Sequence, residues 1–587
     1  MSSGNGVKHI VTDILVIGGG MAGCFAAIKA KEQGLDVTLT DKGYVGKSGG
    51  AHYAEGDIVF FRPERGHKLD QWLNLISERG EYVNNREWDE ICLKESKDRY
   101  NDLVSWGVPF YEENGKLYVN RGSGTGRASV YENISMRHRQ AAPVLRKKAL
   151  AIGVRVLDRI VCCELLKQDG KVVGAAGLHT TSGDLYVFQA KAIVIATGGS
   201  SLKAVNHPSH YWAGDGEAMA YRAGAEIASM EFSRMGGMGS ANRAVLKQRE
   251  QIGKISPISG NIIDAMARYP ASWGGTTGWF SPSLNAEGGA VVGLAWEAHC
   301  GRAPIYVDLD AYTTERIEWV KYFLRRQGSA SPEKIGIDFT KGGKAIYPAS
   351  KVPTISVPAG SGIWPENTSC ATRLPGLYAA GNSCATMGSG ALYAGMGFGL
   401  NHAMVTGNRA GRGAAEYASK SKKTKLDKAE LTRLKEIVCA PMGRQGGFSP
   451  GWLMQVFHGF TVPYFILGVK HGERLQAALT LIEFLNSHLV PKLMARDPHE
   501  WRMAYEVKNM ALIAEMRIKA SLFRTESRGS HYREDYPRRD DPAWLAWVKL
   551  KEERGRMHAY KEPIPKKWWP DLTKPYEERY PNAFPLE

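Results

Sequence analysis

An apolar run over residues 13–17 ends in glycines, the pattern of a strand buried on both faces of a parallel sheet. Residues 22–31 are alanine-rich and read as a helix, and residues 37–40 as the second strand, so the chain opens with a βαβ unit. Helical patterns recur around 70–106. Residues 154–187 read as strands with turns at Asp169-Gly170 and Ser182-Gly183-Asp184. Residues 192–196 form another apolar strand, closed by Thr197-Gly198-Gly199. From 236 to 350 the long periodic runs stop and Gly, Pro, Trp and Ser dominate, which marks a separate lid or cap. Residues 374–381 return to a strand followed by glycine, and a helix is expected from about 400 to 417. After a lysine-rich linker at 419–425, Leu475, Leu479, Ile482, Leu485 and Leu489 recur at helical spacing until Pro491, and 500–523 reads as a second long helix. The last stretch mixes Trp, Tyr, Pro and charge, and is expected to wrap the surface or meet a partner.

At 587 residues the chain exceeds one compact core. Its 66 glycines cluster near 18–56, 196–240, 274–293 and 376–412, which implies tight turns and close backbone approaches. The net charge of +16 is spread along the chain, with no basic stripe, so a nucleic-acid partner is not expected. The eight cysteines form no CxxC and no ladder, so no metal or cluster site is expected on this chain alone, and reduced thiols in a cytoplasm are. Residues 1–12 lack a secretory pattern, and no apolar run approaches the ~20 residues that span a bilayer. Direct membrane insertion is therefore not expected.

Gly18, Gly20 and Gly23 form G-x-G-x-x-G between a strand and a helix. The first permits a tight turn, the second lets backbone approach a pyrophosphate, and the third lets helix and strand pack closely. A pyrophosphate then meets amides at the helix N-terminus, near Met21 and Ala22. Asp41 ends the second strand about 20 residues on, where a carboxylate accepts from a ribose hydroxyl. Two later segments, Ala196-Thr197-Gly198-Gly199 and Gly376-Leu377-Tyr378-Ala379-Ala380-Gly381-Asn382, each follow a strand. With the first motif they resemble the three glycine contacts of flavoproteins with two dinucleotide-binding domains. That resemblance implies FAD, with a helix starting near Gly399 and Leu400 whose N-terminus faces the flavin N1–C2=O edge.

Ile17-Gly18-Gly19-Gly20-Met21-Ala22-Gly23-Cys24, Asp41-Lys42, Lys47-Ser48-Gly49-Gly50, Gly214-Asp215-Gly216, Tyr306-Val307-Asp308-Leu309-Asp310 and Glu526-Ser527-Arg528-Gly529-Ser530-His531-Tyr532-Arg533 resemble the fumarate reductase/succinate dehydrogenase flavoprotein family. Cys24, Phe188-Gln189-Ala190-Lys191 and 521–528 resemble its adenylylsulfate reductase α-subunit branch, which pairs with a ferredoxin-like protein. The resemblance implies an α/β fold: a Rossmann-like FAD-binding domain at 1–235 and 351–418, an inserted α+β capping domain at 236–350 and a C-terminal helical domain at 425–530. Residues 531–587 form the surface-wrapping tail. It adds Lys42, Lys47, Ser48, Gly49, Gly50, Val161 and Asp215 to the candidate FAD contacts.

The departures bear on chemistry. Where fumarate reductases often carry the histidine that holds FAD covalently, this chain has Gly50, with His52 two positions away, so non-covalent FAD is expected. The family's His-Pro-Thr-Gly after Glu-Phe is replaced by Ser233-Arg234-Met235-Gly236-Gly237. Gly289-Ala290 stand near its proton-delivering Arg-Asp pair, and its carboxylate-clamping arginine falls at Tyr393 in Gly390-Ala391-Leu392-Tyr393. Tyrosine cannot clamp a carboxylate bidentately, so fumarate and succinate are not expected as substrates.

Tyr393-Ala394-Gly395-Met396-Gly397 instead resembles the Tyr-x-Gly-x-Gly of ketosteroid dehydrogenases, where a tyrosine hydroxyl and a glycine N–H polarise a ketone. Tyr393 and Gly397 are the first catalytic candidates. His207 and His210 are candidate proton carriers, against a surface or capping role. Arg234, Arg243 and Arg268 are candidate anion contacts, and Trp273, Trp279 and Trp364 either line a pocket or pack a core.

The expected activity is two-electron transfer between flavin N5 and a carbonyl-activated carbon–carbon bond of a small-molecule substrate. The alternatives are an adenylylsulfate-reductase-like α subunit passing electrons to an iron–sulfur partner, and a flavin relay subunit of a larger complex. An oligomer is compatible with each.

Overall fold

The computed structural model describes residues 7–53, 56–121, 131–203, 212–232, 360–388, 397–580 and 583–587. It also describes short pieces at 234–235, 260–261, 296, 299–300, 305–308, 314, 344–346, 355–356, 390–392 and 394–395.

Five parallel strands form the central sheet: β1 (Ile14–Ile17), β2 (Val37–Thr40), β3 (Arg155–Leu157), β4 (Ala192–Ile195) and β5 (Leu377–Ala379). Their order is β5-β4-β1-β2-β3. Continuous apolar runs make β1 and β4 fully buried, as a parallel sheet covered on both faces requires. Each fully buried Val, Leu or Ile contributes about 1.5–3 kcal/mol relative to exposure. The register sets Ile17 beside Thr40 and Ile195, and Ile195 beside Ala379. The carboxyl ends of four strands are therefore level, and the glycine segments that follow β1, β4 and β5 emerge on one edge with Asp41. Ligands of open α/β sheets bind at that edge.

Helix α1 (Met21–Lys31) returns along the sheet. The helix α2 (Asp215–Ala223) starts at Gly214, and α3 (Phe398–Lys420) starts at Gly397, slightly before the position the periodicity predicted. α1 and α3 cross at backbone contact: a Cβ on Gly407 would lie 2.4 Å from the Ala22 carbonyl oxygen, and one on Gly411 2.4 Å from that of Ala26. The small residues of both helices serve this crossing. The strand-rich stretch 154–187 supplies β3 and then Ile160–Gln168 and Lys171–His179, joined through Asp169-Gly170 as predicted. Leu185–Gln189 and Val7–Val11 complete that sheet.

The C-terminal helices are present: Gly472–Phe484 carries Leu475, Leu479 and Ile482 of the stripe, a wider turn at Leu485–Leu489 carries the rest, and α4 (Pro498–Phe523) is the long helix expected at 500–523. Within the tail, Ala546–Glu553 is a sheet strand: it pairs with Ile227–Ala228, itself paired with Gly362–Ile363, and buries Trp547 and Val548. The strand lies between Ile227–Ala228 and Arg556–Pro563, so residues 546–563 hold together two segments that are distant in sequence. Among the described residues, no helix is long and apolar enough to cross a membrane.

Candidate functional site

At the sheet's carboxyl edge Gly18 adopts φ +108°, a region closed to most side chains, and its N–H donates to the Thr40 carbonyl at 2.8 Å. A Cβ on Gly23 would stand 1.7 Å from the Gly18 oxygen, and one on Gly49 2.7 Å from the Gly20 Cα. Two bare backbones thus face each other at the start of α1, with Gly20 as its N-cap and Met21 and Ala22 buried in its first turn. This is a cradle that side chains would fill, and it fits the pyrophosphate of FAD.

Asp41 is buried, and each of its oxygens accepts a backbone amide: Gly19 at 2.8 Å and Gly43 at 2.7 Å. Burial raises its pKa against those two bonds. It therefore ties the first glycine loop to the 41–50 loop, and each oxygen keeps one lone pair for a ribose hydroxyl. In that second loop the Ser48 hydroxyl accepts from the Tyr44 amide at 2.7 Å, while Lys47 is exposed.

Lys42 and Asp215 are turned towards each other. Lys42 Nζ donates to Asp215 at 2.8 Å and to Glu506 of α4 at 3.0 Å, and Asp215 also accepts from Asn509 at 2.9 Å. Lys203 reaches the same Glu506 at 2.9 Å, and Arg502 joins it. Burial opposes both charges, but the cations hold Glu506 well below the carboxylate range, and Asp215 and Glu506 hold Lys42 above the usual lysine value. Sequence reasoning did not find Glu506, because its partner is 464 positions away.

Further along the same edge, the Ser383 hydroxyl donates to the Gly198 carbonyl at 2.7 Å and lies 3.2 Å from the Thr197 hydroxyl. This joins the second and third glycine segments after Ala196. The Gly381 amide donates to Thr406 Oγ1 at 2.8 Å, which draws that loop onto α3, and Asn382 beside it is half-buried. The sequence also did not single out Trp212. A Cβ at position 50 would lie 2.4 Å from its Cζ2, and one at Gly198 3.0 Å from Cε2, so its indole fits only between two glycines. Val161, by contrast, sends its side chain into an apolar cluster with Cys163, Leu178, Trp501 and Tyr505. Any contact to a cofactor from Val161 is left to its backbone.

Gly397 has φ +88° and caps α3, with Gly399 and Leu400 half-buried in the first turn. The N-terminus carries the positive end of the helix dipole, which suits the negative charge of a reduced flavin. Before it, Ala391 and Leu392 are buried. The Ala391 carbonyl accepts from the Ser530 amide at 3.2 Å and from its hydroxyl at 3.0 Å, so the family-like C-terminal segment supports this loop.

Two buried titratable groups flank the loop. Burial pushes Asp89 up to about 7, where it accepts from Asn84 at 2.5 Å. Burial pushes His402 down to about 4, and its Nε2 pairs with the Thr386 hydroxyl. Both lie within 4 Å of the point where a Gly388 Cβ would stand.

Other candidates separate. Tyr393, His207, His210, Arg243, Arg268, Trp273 and Trp279 lie outside the described residues, as do Gly289-Ala290. The Arg234 backbone pairs with Ser356. Trp364 packs on Trp547 with ring centres 5.1 Å apart and belongs to the core around the tail strand. His531 is fully buried between Lys470 Nζ at 2.8 Å and the Arg524 carbonyl at 3.2 Å, a structural position. Glu231 pairs with Arg524 at 2.9 Å, which ties the segment after Ile227–Ala228 to the end of α4.

Comparison with known proteins agrees with this geometry. The FAD binding domain profile matches residues 13–239 and the fumarate reductase flavoprotein C-terminal profile matches 469–579, together more than half of the chain. The chain is 27% identical over 561 residues to a fumarate reductase (CoM/CoB) subunit of Methanothermobacter marburgensis, covering 92% of this chain and 96% of that one. It is 24% identical to the fumarate reductase flavoprotein subunit of Mycobacterium tuberculosis, covering 96% and 99%. Its fold is similar to that of adenylylsulfate reductase from Archaeoglobus fulgidus, with a TM-score of 0.73 at 21% identity over 95% of this chain and 97% of that one. With the glycine cradle and both ends of the chain matched, the protein belongs to the fumarate reductase/succinate dehydrogenase flavoprotein family and is an FAD-dependent oxidoreductase.

Proposed function

We propose that this flavoenzyme moves two electrons between FAD and a carbonyl-activated carbon–carbon bond, on a substrate other than fumarate or succinate. The observation that carries the reading is the segment entering α3. Where the family clamps a carboxylate with arginine, this chain has Gly390-Ala391-Leu392-Tyr393, and Ala391 and Leu392 are buried and apolar. A bidentate anion clamp needs a guanidinium fork there.

FAD, when bound, supplies the two-electron chemistry at N5. The glycine cradle at 18–23 and 49–50 holds its pyrophosphate, Asp41 its ribose, and the start of α3 the C2=O edge. Tyr393 donates to the substrate carbonyl together with the Gly397 N–H, stabilising the charge that develops on that oxygen. Trp212 over Gly50 takes the room a side chain there would need, which supports FAD held without a covalent link.

The test is anaerobic. Reduced enzyme is mixed separately with fumarate, a conjugated enone or enoate, and adenylylsulfate, and the flavin absorbance is followed. Rapid reoxidation by the enone alone is the expected result. Reoxidation by fumarate overturns the loss of the clamp. The Tyr393→Phe variant is expected to lose about a hundredfold or more of that rate with flavin still bound; full turnover removes Tyr393 from the mechanism.

A second reading keeps the same site but takes adenylylsulfate as substrate. Its support is the fold shared over nearly the whole chain with adenylylsulfate reductase, and reoxidation by adenylylsulfate alone selects it. In either case an iron–sulfur electron partner is part of the proposal, since the relatives are named as subunits. Co-purification with a small iron–sulfur protein tests it.

A further inference from the structure

A small antiparallel sheet packs against the start of α3. Its strands are Asp57–Val59, Val119–Arg121 and Glu132–Ser135, with Val59 opposite Asn133 and Asp57 opposite Ser135. The Gly397 carbonyl accepts from the Val59 amide at 3.4 Å, which joins the sheet to the helix cap. All four residues of Glu132–Ser135 are buried.

Three of the polar side chains here are committed to protein. Glu132 pairs with Arg62 at 2.6 Å, and the Ser135 hydroxyl donates to Asp57. Asn133 differs. It is 3% exposed, and its Oδ1 has no hydrogen-bond partner among the described residues. That oxygen lies 2.9 Å from the point where a Gly397 Cβ would stand, so it is aimed at the N-cap of a 23-residue helix. Water is kept from the neighbourhood by Val59, Tyr131 and Phe398, the last two in edge contact at 5.2 Å. A buried amide oxygen left without a donor is costly, and such groups are nearly always paired in the functional state.

The chemistry of the site names the missing donor. The pyrimidine edge of an isoalloxazine runs N1, C2=O, N3–H, C4=O. The helix N-terminus offers donors, which suit N1 and C2=O. The next atom along that edge is N3, which carries the ring's donor hydrogen in the oxidised state, and an acceptor beside the helix cap faces it. We propose that Asn133 Oδ1 accepts the flavin N3–H and so sets the ring's orientation over the entry of α3. This rests on the FAD reading of the site but not on the substrate. Asn133 is a positioning residue for the cofactor.

The test uses full-length apoprotein titrated with FAD and with FAD methylated at N3, followed by flavin fluorescence, in wild type, Asn133→Ala and Asn133→Asp. Methylation deletes the donor, and the Ala variant deletes the acceptor while leaving room for the methyl group. Wild type is expected to prefer FAD by roughly tenfold, and Asn133→Ala to lose that preference to within about twofold. Asn133→Asp, which keeps an acceptor, is expected to retain it. ADP, which lacks the ring, is expected to bind all three proteins alike, showing that the variants are folded at the pyrophosphate end. Tight FAD binding with the same preference in wild type and Asn133→Ala overturns the role of Asn133 alone. Failure of wild type to bind either FAD or ADP overturns it together with the cofactor reading.

Discussion

Behind Asp41, Glu506 faces Lys42, Lys203 and Arg502, and Lys42 also meets Asp215. Around Gly388 and Gly397, by contrast, Asp89, His402 and Asn133 are buried with amide or hydroxyl neighbours or none. The first region keeps its charges by pairing them. The second keeps its groups near neutrality, because burial without a full counter-charge favours the uncharged form. Paired charges lock two distant parts of the chain together behind the cofactor cradle. Neutral groups leave hydrogen-bonding capacity beside the start of α3, which suits a ligand with little net charge.

Breaking the charged region has the largest expected effect. Glu506→Gln leaves three cations around a neutral amide and is expected to cost about 3–5 kcal/mol at pH 7, read by urea denaturation. Glu506 has a folded pKa well below its ordinary 4.5, so its stabilisation is complete above 4.5 and is lost progressively as the pH falls from there towards the lower folded value. The difference between variant and wild type should therefore shrink below about pH 4. An unchanged midpoint at pH 7 would show that the network is idle.

In the neutral region Asp89 responds with the opposite sign. Asp89 is raised from 3.8 to about 7, so its contribution is present below the lower value and is lost as pH rises towards the upper one. Asp89→Asn retains an acceptor for Asn84 and is expected to stabilise the protein at pH 8 by about 2 kcal/mol. That figure is half of what the whole shift would imply, allowing for relaxation around a buried carboxylate. At pH 4 the gain should vanish, and a variant less stable at pH 8 would show that the carboxylate is needed as an anion. The smallest expected effect is that of Thr386→Val, which takes the hydroxyl from His402 and should cost about 1 kcal/mol. The folded pKa of His402 is depressed from 6.5 to about 4, so its stabilisation is complete above 6.5 and fades as pH falls towards 4, where denaturation should show the matching loss.

The cradle was legible because each of its features is local. Gly18, Gly20 and Gly23 follow a four-residue apolar strand and open an alanine-rich helix; Gly18 is required by the adjoining strand and Gly23 by the Gly18 carbonyl. Thr197 and Gly381 follow strands of the same kind. Asp41 was read as a ribose contact, and the structure adds its grip on Gly19 and Gly43, a bond pair that spacing does not reveal. The strand at 546–553 gave no local signal, because its first five residues are all buried and the strands that cover them are distant in sequence. Trp212, Glu506 and Asn133 gave no signal for the same reason. A lone Trp, Glu or Asn carries no period, and its meaning lies in a partner far away in sequence.

The βαβ start, the glycine segments, the C-terminal helices and, through motif resemblance, FAD were legible in the linear pattern of residues. These follow from chain periodicity and from conformations that only glycine adopts freely. The place of Lys42 in a buried ion network, Trp212 over Gly50, the pairing of Ala546–Glu553 with Ile227–Ala228 and the aim of Asn133 Oδ1 at the cap of α3 came from the three-dimensional fold alone. Those outcomes depend on which surfaces meet in three dimensions, and burial and electrostatics act across space between residues that the linear pattern keeps apart.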